Sequence, residues 1–236
     1  MTGEITRQRP PRPARQRRWL RRLLIGVAAL LVLIVLATWA FIKFQPTQAP
    51  LALPAAAAQA PAGPLAGTWS VTSGTAGFRV AETALGMSND TVGRTSAVSG
   101  SLVIAGRQVT SAAFRIDLTG VKVGGKAQPQ FATSLRTARF PVATFTLASR
   151  VAFGSALGAG GTVRVTAAGR LSLNGVTRPV TLTVSGRRDG TALEIAGSIP
   201  VAFSRWDIKG PGGLGFLGSL ADHGVAEFLL TLKQRS

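Results

Sequence analysis

Residues 67–236 are expected to fold as an all-β domain, a sandwich or a barrel, behind one membrane-spanning helix and a proline-rich linker. Three observations carry this. From Gly67 onward the chain is a succession of short β-branched and aromatic alternations punctuated by glycine, with helical periods nearly absent. The stretch Leu171–Val184, LSLNGVTRPVTLTV, sets Asn174-Gly175 between two alternating arms, the pattern of a hairpin closed by a type I′ turn. Before all this, Leu23–Ile42 (LLIGVAALLVLIVLATWAFI) runs twenty residues without a charge or a proline.

The chain opens on a basic tail, residues 1–22, in which eight arginines between Arg7 and Arg22 face only Glu4. The following twenty residues reach roughly 30 Å as a helix, the thickness of a bilayer's hydrocarbon core. The arginine excess predicts a cytoplasmic N-terminus, a single pass at the cell membrane, and an extracytoplasmic C-terminal domain. Trp19 on one flank and Trp39, Phe41 and Phe44 on the other suit the two interfacial belts. The rival reading is a cleaved signal peptide. Against it, the run exceeds the roughly 7 to 15 residues of a signal core, and no small-x-small site follows closely.

Residues 43–66, KFQPTQAPLALPAAAAQAPAGPLA, carry Pro46, Pro50, Pro54, Pro61 and Pro64 among alanines. This is the composition of a semi-rigid linker reaching at most about 75 Å, which would hold the domain off the bilayer. Candidate strands then follow at Thr68–Ser73, Gly77–Thr83, Ser96–Ala105, Gln108–Leu118, Ala143–Phe153, Gly161–Leu173, Thr177–Arg187, Thr191–Ser204 and Val225–Lys233. Pro179 cannot donate to a ladder, so its nitrogen belongs at an edge or a bulge. Two stretches break the pattern. Gly120–Pro141 reads as a helix or long loop over a barrel end, with Phe131, Leu135 and Phe140 as its apolar contacts. Ile208–Gly224 is glycine-rich and reads as a mobile loop at a rim.

Charge and motifs exclude more than they assign. The formal charge of +18 divides between residues 1–66 (nine basic, one acidic) and residues 67–236 (eighteen basic, eight acidic). Topology explains the first share, and the second is scattered singly apart from Arg187-Arg188, so no nucleic-acid footprint forms. With no cysteine there are no disulfides and no thiolate chemistry. Gly120–Ala127 misses the phosphate-loop pattern at its final hydroxyl, and Pro129 obstructs the helix that would follow. Gly213–Gly218 matches G-x-G-x-x-G with too little chain after it for a βαβ unit. His223 is the only histidine, and its neighbour Asp222 is a poor orienter for a triad; no G-x-S-x-G elbow exists. The reading is not an enzyme, and neither metal nor cofactor is expected. Asp207, Asp222 and His223 are the residues a lipid-acting enzyme would have to use.

What remains is an apolar interior. Phe78, Val80, Leu102, Ile104, Phe114, Ile116, Phe145, Leu147, Leu171, Leu173 and Phe203 face inward if the sheet closes. About eight strands is the size at which a barrel either fills itself or holds one small ligand. The first outcome would make the domain an envelope interaction or structural module without a lipid; the second, a binder.

Several segments resemble the YceI-like polyisoprenoid-binding family across the whole of residues 67–236. They are Gly67–Val71 with Phe78–Val80, the aromatic-Pro-x-x-x-Phe segment Phe140–Phe145, the hairpin Gly169–Leu182, Ser204–Asp207, and the closing strand Val225–Leu232. A His-Ser pair common early in that family is Ser73-Gly74 here, and its acidic connection is replaced by Gln130–Leu135. The resemblance implies an extended antiparallel, lipocalin-like β-barrel of about eight strands whose apolar cavity takes up an isoprenoid or other long-chain lipid. The inward set above would line it, joined by Phe131, Leu135, Phe140, Trp206 and Phe216. Arg136, Arg139, Arg178 and Lys209 would meet a charged headgroup at the rim.

Overall fold

The computed structural model describes residues 26–37, 48–55, 57–84, 87–210 and 218–235. They belong to two units, Met1–Thr47 and Gln48–Ser236. In the first, residues 26–37 form a helix. At 1.5 Å per residue it spans about 18 Å, short of the roughly 30 Å a bilayer core demands. No helix among the described residues is long and apolar enough to cross a membrane. The helix expected over Leu23–Ile42 is thus not found at that length; residues 23–25 and 38–42 lie outside the described residues.

The second unit is built from strands β1 (Gly67–Ala84), β2 (Met87–Thr95), β3 (Val98–Ala105), β4 (Gln108–Asp117), β5 (Lys122–Val123), β6 (Val142–Leu147), β7 (Val151–Ala152), β8 (Val163–Leu173), β9 (Val176–Asp189), β10 (Ala192–Ala202), β11 (Gly218–Leu220) and β12 (His223–Gln234). Eight of them, β1, β3, β4, β6, β8, β9, β10 and β12, pair antiparallel in that order, and β12 returns to β1, so the sheet closes. Closure removes the exposed edges that an open sheet of this length would present.

The two strands expected at Thr68–Ser73 and Gly77–Thr83 are one, β1, eighteen residues long. Its partner along one side is double: Gly67 pairs with Ile104 of β3 and Ala76 with Thr95 of β2 in the same register, so β2 and β3 are one ladder interrupted at Ser96-Ala97. Strand β2, MSNDTVGRT, is too polar to carry an alternation signal, which is why sequence reading passes over it. The expected strand Ala143–Phe153 divides into β6 and β7. Part of the expected rim loop, Gly218–Leu220, is strand β11 against the end of β1. Pro179 lies where β9 has β8 on one side and no β10 partner on the other, as its missing donor requires.

The barrel has two unlike ends. At one, the turns β3–β4 and β9–β10 meet the connection 148–162, which sends Phe153 and Leu157 into a core with Trp69, Leu193 and Leu232. At the other lie the β8–β9 turn, a short helix Pro129–Ser134 and the 3-10 turn Phe203–Trp206. The β8–β9 turn has φ of 54° at Asn174 and 79° at Gly175, the two positive values of type I′. Pro129 does not obstruct its helix. It sits in the first turn, where a missing N–H costs nothing.

Residues 48–66, expected to stand off as linker, are fastened to the barrel wall. A proline-rich backbone forms no ladder of its own, so its carbonyls are free, and arginine offers five donors to take them. Arg79 Nη2 donates to the Gln48 carbonyl at 2.6 Å, Arg187 Nη1 to Pro54 at 2.8 Å, and Arg188 to Ala62 and to Gly63, the latter at 3.0 Å. Backbone N–H groups of this strap are taken by carboxylates: Leu51 by Glu227, Ala58 and Gln59 by Asp189. At its end the Trp69 indole donates to the Leu65 carbonyl at 2.9 Å.

Candidate functional site

Strand alternation produces the site. Along β8 the odd residues from Val163 to Leu171 turn inward and the even ones outward, and β10 and β12 do the same with Leu193, Ile195, Phe228 and Leu230. The inward faces do not fill the space they enclose. A cavity of about 250 Å³ remains in the lumen, just below the size range of small-ligand pockets at about 300–1,000 Å³. The filled-core arrangement is therefore not the one adopted. Among the lining residues only Ser134 and Glu227 are polar, and the Glu227 carboxylate is engaged by Arg94 at 2.6 Å and by the strap.

Of the residues expected to line a cavity, thirteen do so: Phe78, Val80, Leu102, Ile104, Phe114, Ile116, Phe131, Leu135, Phe145, Leu147, Leu171, Leu173 and Phe203. Phe131 reaches the lumen from the short helix and meets Phe78 with ring centroids 5.2 Å apart. Two of the remainder do not line it. Phe140 lies over Gly175, between the guanidinium groups of Arg136 and Arg139, each 5.2 Å from its ring. Trp206 is fully buried, but in the wall, with its indole donating to the Leu171 carbonyl at 3.3 Å. Phe216 and most of the Gly213–Gly218 motif lie outside the described residues. Sequence reading missed Val109, Phe153, Leu157, Val165, Leu182 and Ile195 as lining residues. Alternation was available for the strand positions among them, whereas nothing local marks Leu157, which enters from a connection.

Several of the side chains around the mouth opening are basic. Arg136 donates through Nε to Asn174 Oδ1 at 2.8 Å and pairs with Asp207 at 3.1 Å. Asn174, 1% exposed, also donates to the carbonyls of Trp206 and Asp207 at 3.0 and 2.9 Å. One side chain thus ties together three connections around the opening. Arg178 donates to the Arg205 carbonyl, and Arg205 stacks on Trp206 at 5.3 Å. Arg139 and Lys209 stand at the same end.

Asp222 and His223 meet, with Nδ1 and Oδ1 2.8 Å apart. That hydrogen bond, with the imidazole's charge, holds the Asp222 carboxyl below its ordinary value. Both side chains are well exposed, at 69% for His223 and 98% for Asp222. Among the described residues no group of three or more His, Cys, Asp or Glu is placed to hold a metal ion.

Comparison with known proteins follows the same lines. A polyisoprenoid-binding domain from Saccharophagus degradans, implicated in plant cell wall breakdown, aligns at a TM-score of 0.55 and 18% identity, covering 71% of this chain and 98% of its own. BcnA of Burkholderia cenocepacia aligns at 0.49 and 18% identity, over 65% and 95%. No curated protein matches the sequence significantly. A family model described as a YceI-like domain matches residues 69–227, most of the barrel from β1 to β12. With that extent of match on a closed antiparallel barrel, the chain belongs to the YceI-like family.

Proposed function

We propose that the barrel binds an isoprenoid or other long-chain lipid, its chain in the lumen and any charged headgroup among Arg136, Arg139, Arg178 and Lys209. The observation that carries this is a lumen lined, apart from Ser134 and Glu227, by apolar side chains. Family membership and the polyisoprenoid-binding relative support it. The driving force is burial of chain: at roughly 25 cal/mol per Å², about 300 Å² of alkyl surface gives some 7 kcal/mol before ordering and association costs. The protein acts as a carrier or sensor of lipid rather than as an enzyme. It works on the extracytoplasmic side of the cell membrane, to which Leu23–Ile42 attaches it; the charge-free run and the arginines before it support that location.

The test is organic extraction of the purified protein followed by mass spectrometry, on the native chain and on Ala167→Trp. Ala167 lines the cavity, and an indole there occupies the ligand's space. Overpacking costs about 1–3 kcal/mol, so folding is checked separately by circular dichroism. A stoichiometric lipid present in the native chain and absent from the folded variant supports the reading. An empty native barrel, or equal lipid in both, refutes it.

A further inference from the structure

We propose that Leu157 and Phe153 form the floor of the lumen and set the longest lipid chain it takes up, with Gly186 leaving the last step of depth open. The proposal rests on the lipid reading of the lumen and adds what fixes the far end of the chain.

The depth follows from the ladder. Along β8 the inward residues run from Val163 to Leu173, and at about 3.3 Å per residue on a strand tilted by some 40° that run covers roughly 25 Å. At its foot Val163, Gly186 and Ile195 share one rung, and all three line the cavity. Trp69 and Leu232 belong to the core of the closed end and have no exposed surface, yet they do not line the cavity. The lumen therefore ends above them.

What covers the rung is the connection 148–162. Phe153 and Leu157 line the cavity and are buried in the same cluster as Trp69, so they have the lumen on one side and packed core on the other. Backbone bonds hold them there. The Phe153 N–H donates to the Arg107 carbonyl at 3.1 Å, and the Gly161 N–H to the Ala156 carbonyl at 2.9 Å, which closes a tight turn around Leu157. The strap braces this turn from outside: Pro61 sits so close over Gly160 that a Cβ there would lie 2.7 Å from its Cγ, and Leu65 packs on the Trp69 cluster. A floor backed in this way does not yield to a longer chain.

Gly186 is the position of the rung that carries no side chain. Neither backbone nor packing demands glycine here, since its φ is outside the left-handed region and a Cβ would meet Val163 Cγ2 at 3.7 Å and Ile195 Cγ2 at 3.8 Å, ordinary contacts. What glycine leaves is space at the foot of the lumen. With the headgroup held at the rim, each methylene that reaches toward the floor is removed from water, roughly a fourfold gain in affinity. Carbons beyond the floor's reach stay at the mouth and gain nothing.

The purified full-length protein is incubated with an equimolar series of saturated fatty acids of increasing length, passed through gel filtration, and the retained acids are measured by mass spectrometry. For each length the occupancy of a variant is divided by that of the native chain, which cancels partition into detergent. Leu157→Ala is expected to leave the short members unchanged and to raise the longest by roughly fourfold for each further methylene admitted. Gly186→Val is expected to lower the longest members and spare the short ones. Leu135→Ala, at the mouth, is expected to shift all lengths by one common factor. Circular dichroism establishes that each variant is folded, and the two floor changes act in opposite directions, which a general loss of structure does not imitate. A ratio independent of length in either folded floor variant overturns the proposal, as does a Leu135→Ala profile that matches Leu157→Ala. A native chain that retains no fatty acid also overturns it, and together with an empty barrel in the extraction experiment overturns the lipid reading as well.

Discussion

At the closed end of the barrel Trp69 and Leu232 are completely buried, and Arg188 lies over the Trp69 ring at 5.6 Å beneath the strap carbonyls it binds. At the mouth, Phe131, Leu135, Phe203 and Ile208 are only half-buried, and the arginines stand around rather than over them. Both ends draw on the same inward alternation of the same strands. What differs is what crosses the opening. The closed end receives Phe153 and Leu157 from one connection and Leu65 from the strap. The mouth receives a six-residue helix and a 3-10 turn that are tied to the rim. A barrel of this size thus becomes core or cavity according to its plugs, not its walls.

The largest effect is expected from unplugging the closed end. Trp69→Ala removes a fully buried indole, its hydrogen bond to the strap and the platform for Arg188, and should cost about 4 kcal/mol in urea unfolding. A loss below 1 kcal/mol would mean that this end is not the structural one. Next is the strap. Glu227 is nearly buried and receives Arg94 at 2.6 Å, Arg79 at 3.5 Å and the Leu51 N–H. Glu227→Gln takes from Arg94 its carboxylate partner, leaves Arg79 with Asp90 alone, and should cost about 3 kcal/mol, with proteolysis appearing between residues 48 and 66. Arg79, Arg94, Arg187 and Arg188 already each keep one buried N–H without a protein acceptor among the described residues, so this cluster has little donor satisfaction to spare.

At the mouth, Asn174→Gly retains the positive φ of the turn and the Arg136 Nη2 bond to the backbone carbonyl but severs the side-chain bonds to Arg136 Nε and to the Trp206 and Asp207 carbonyls. About 2 kcal/mol is expected, together with faster amide exchange at residues 203–207 and 136, while the closed end stays protected. Protection lost equally at both ends would dissolve the distinction drawn above. The smallest effect is electrostatic. The Thr119 hydroxyl and N–H hold the Asp117 carboxyl below its ordinary value. A lowered carboxyl stabilises the fold above its unfolded value near 3.9, and that contribution is lost as pH falls through the folded value. Thr119→Val should raise the Asp117 midpoint in an NMR titration and slightly reduce stability near neutral pH, leaving stability unchanged at pH below both the folded and the unfolded midpoints.

The all-β class, most strands, the type I′ turn at Asn174-Gly175 and thirteen of the cavity-lining residues were legible in the sequence, because period-two alternation and positive φ are local properties of the chain. Tertiary structure alone decided the rest. That residues 48–66 dock rather than extend depends on Arg79, Arg187 and Arg188 coming from strands far along the chain to meet carbonyls a proline-rich backbone leaves free. Asn174 is a turn residue by its neighbours and a tie between three connections only once Arg136 and Trp206 are folded beside it. Trp206 and Phe140 have the composition of lining residues, yet their hydrogen-bond and cation partners hold them in the wall and on the rim. Whether an apolar interior fills or stays open is set by what covers its ends, and those covers are long-range contacts that no local spacing records.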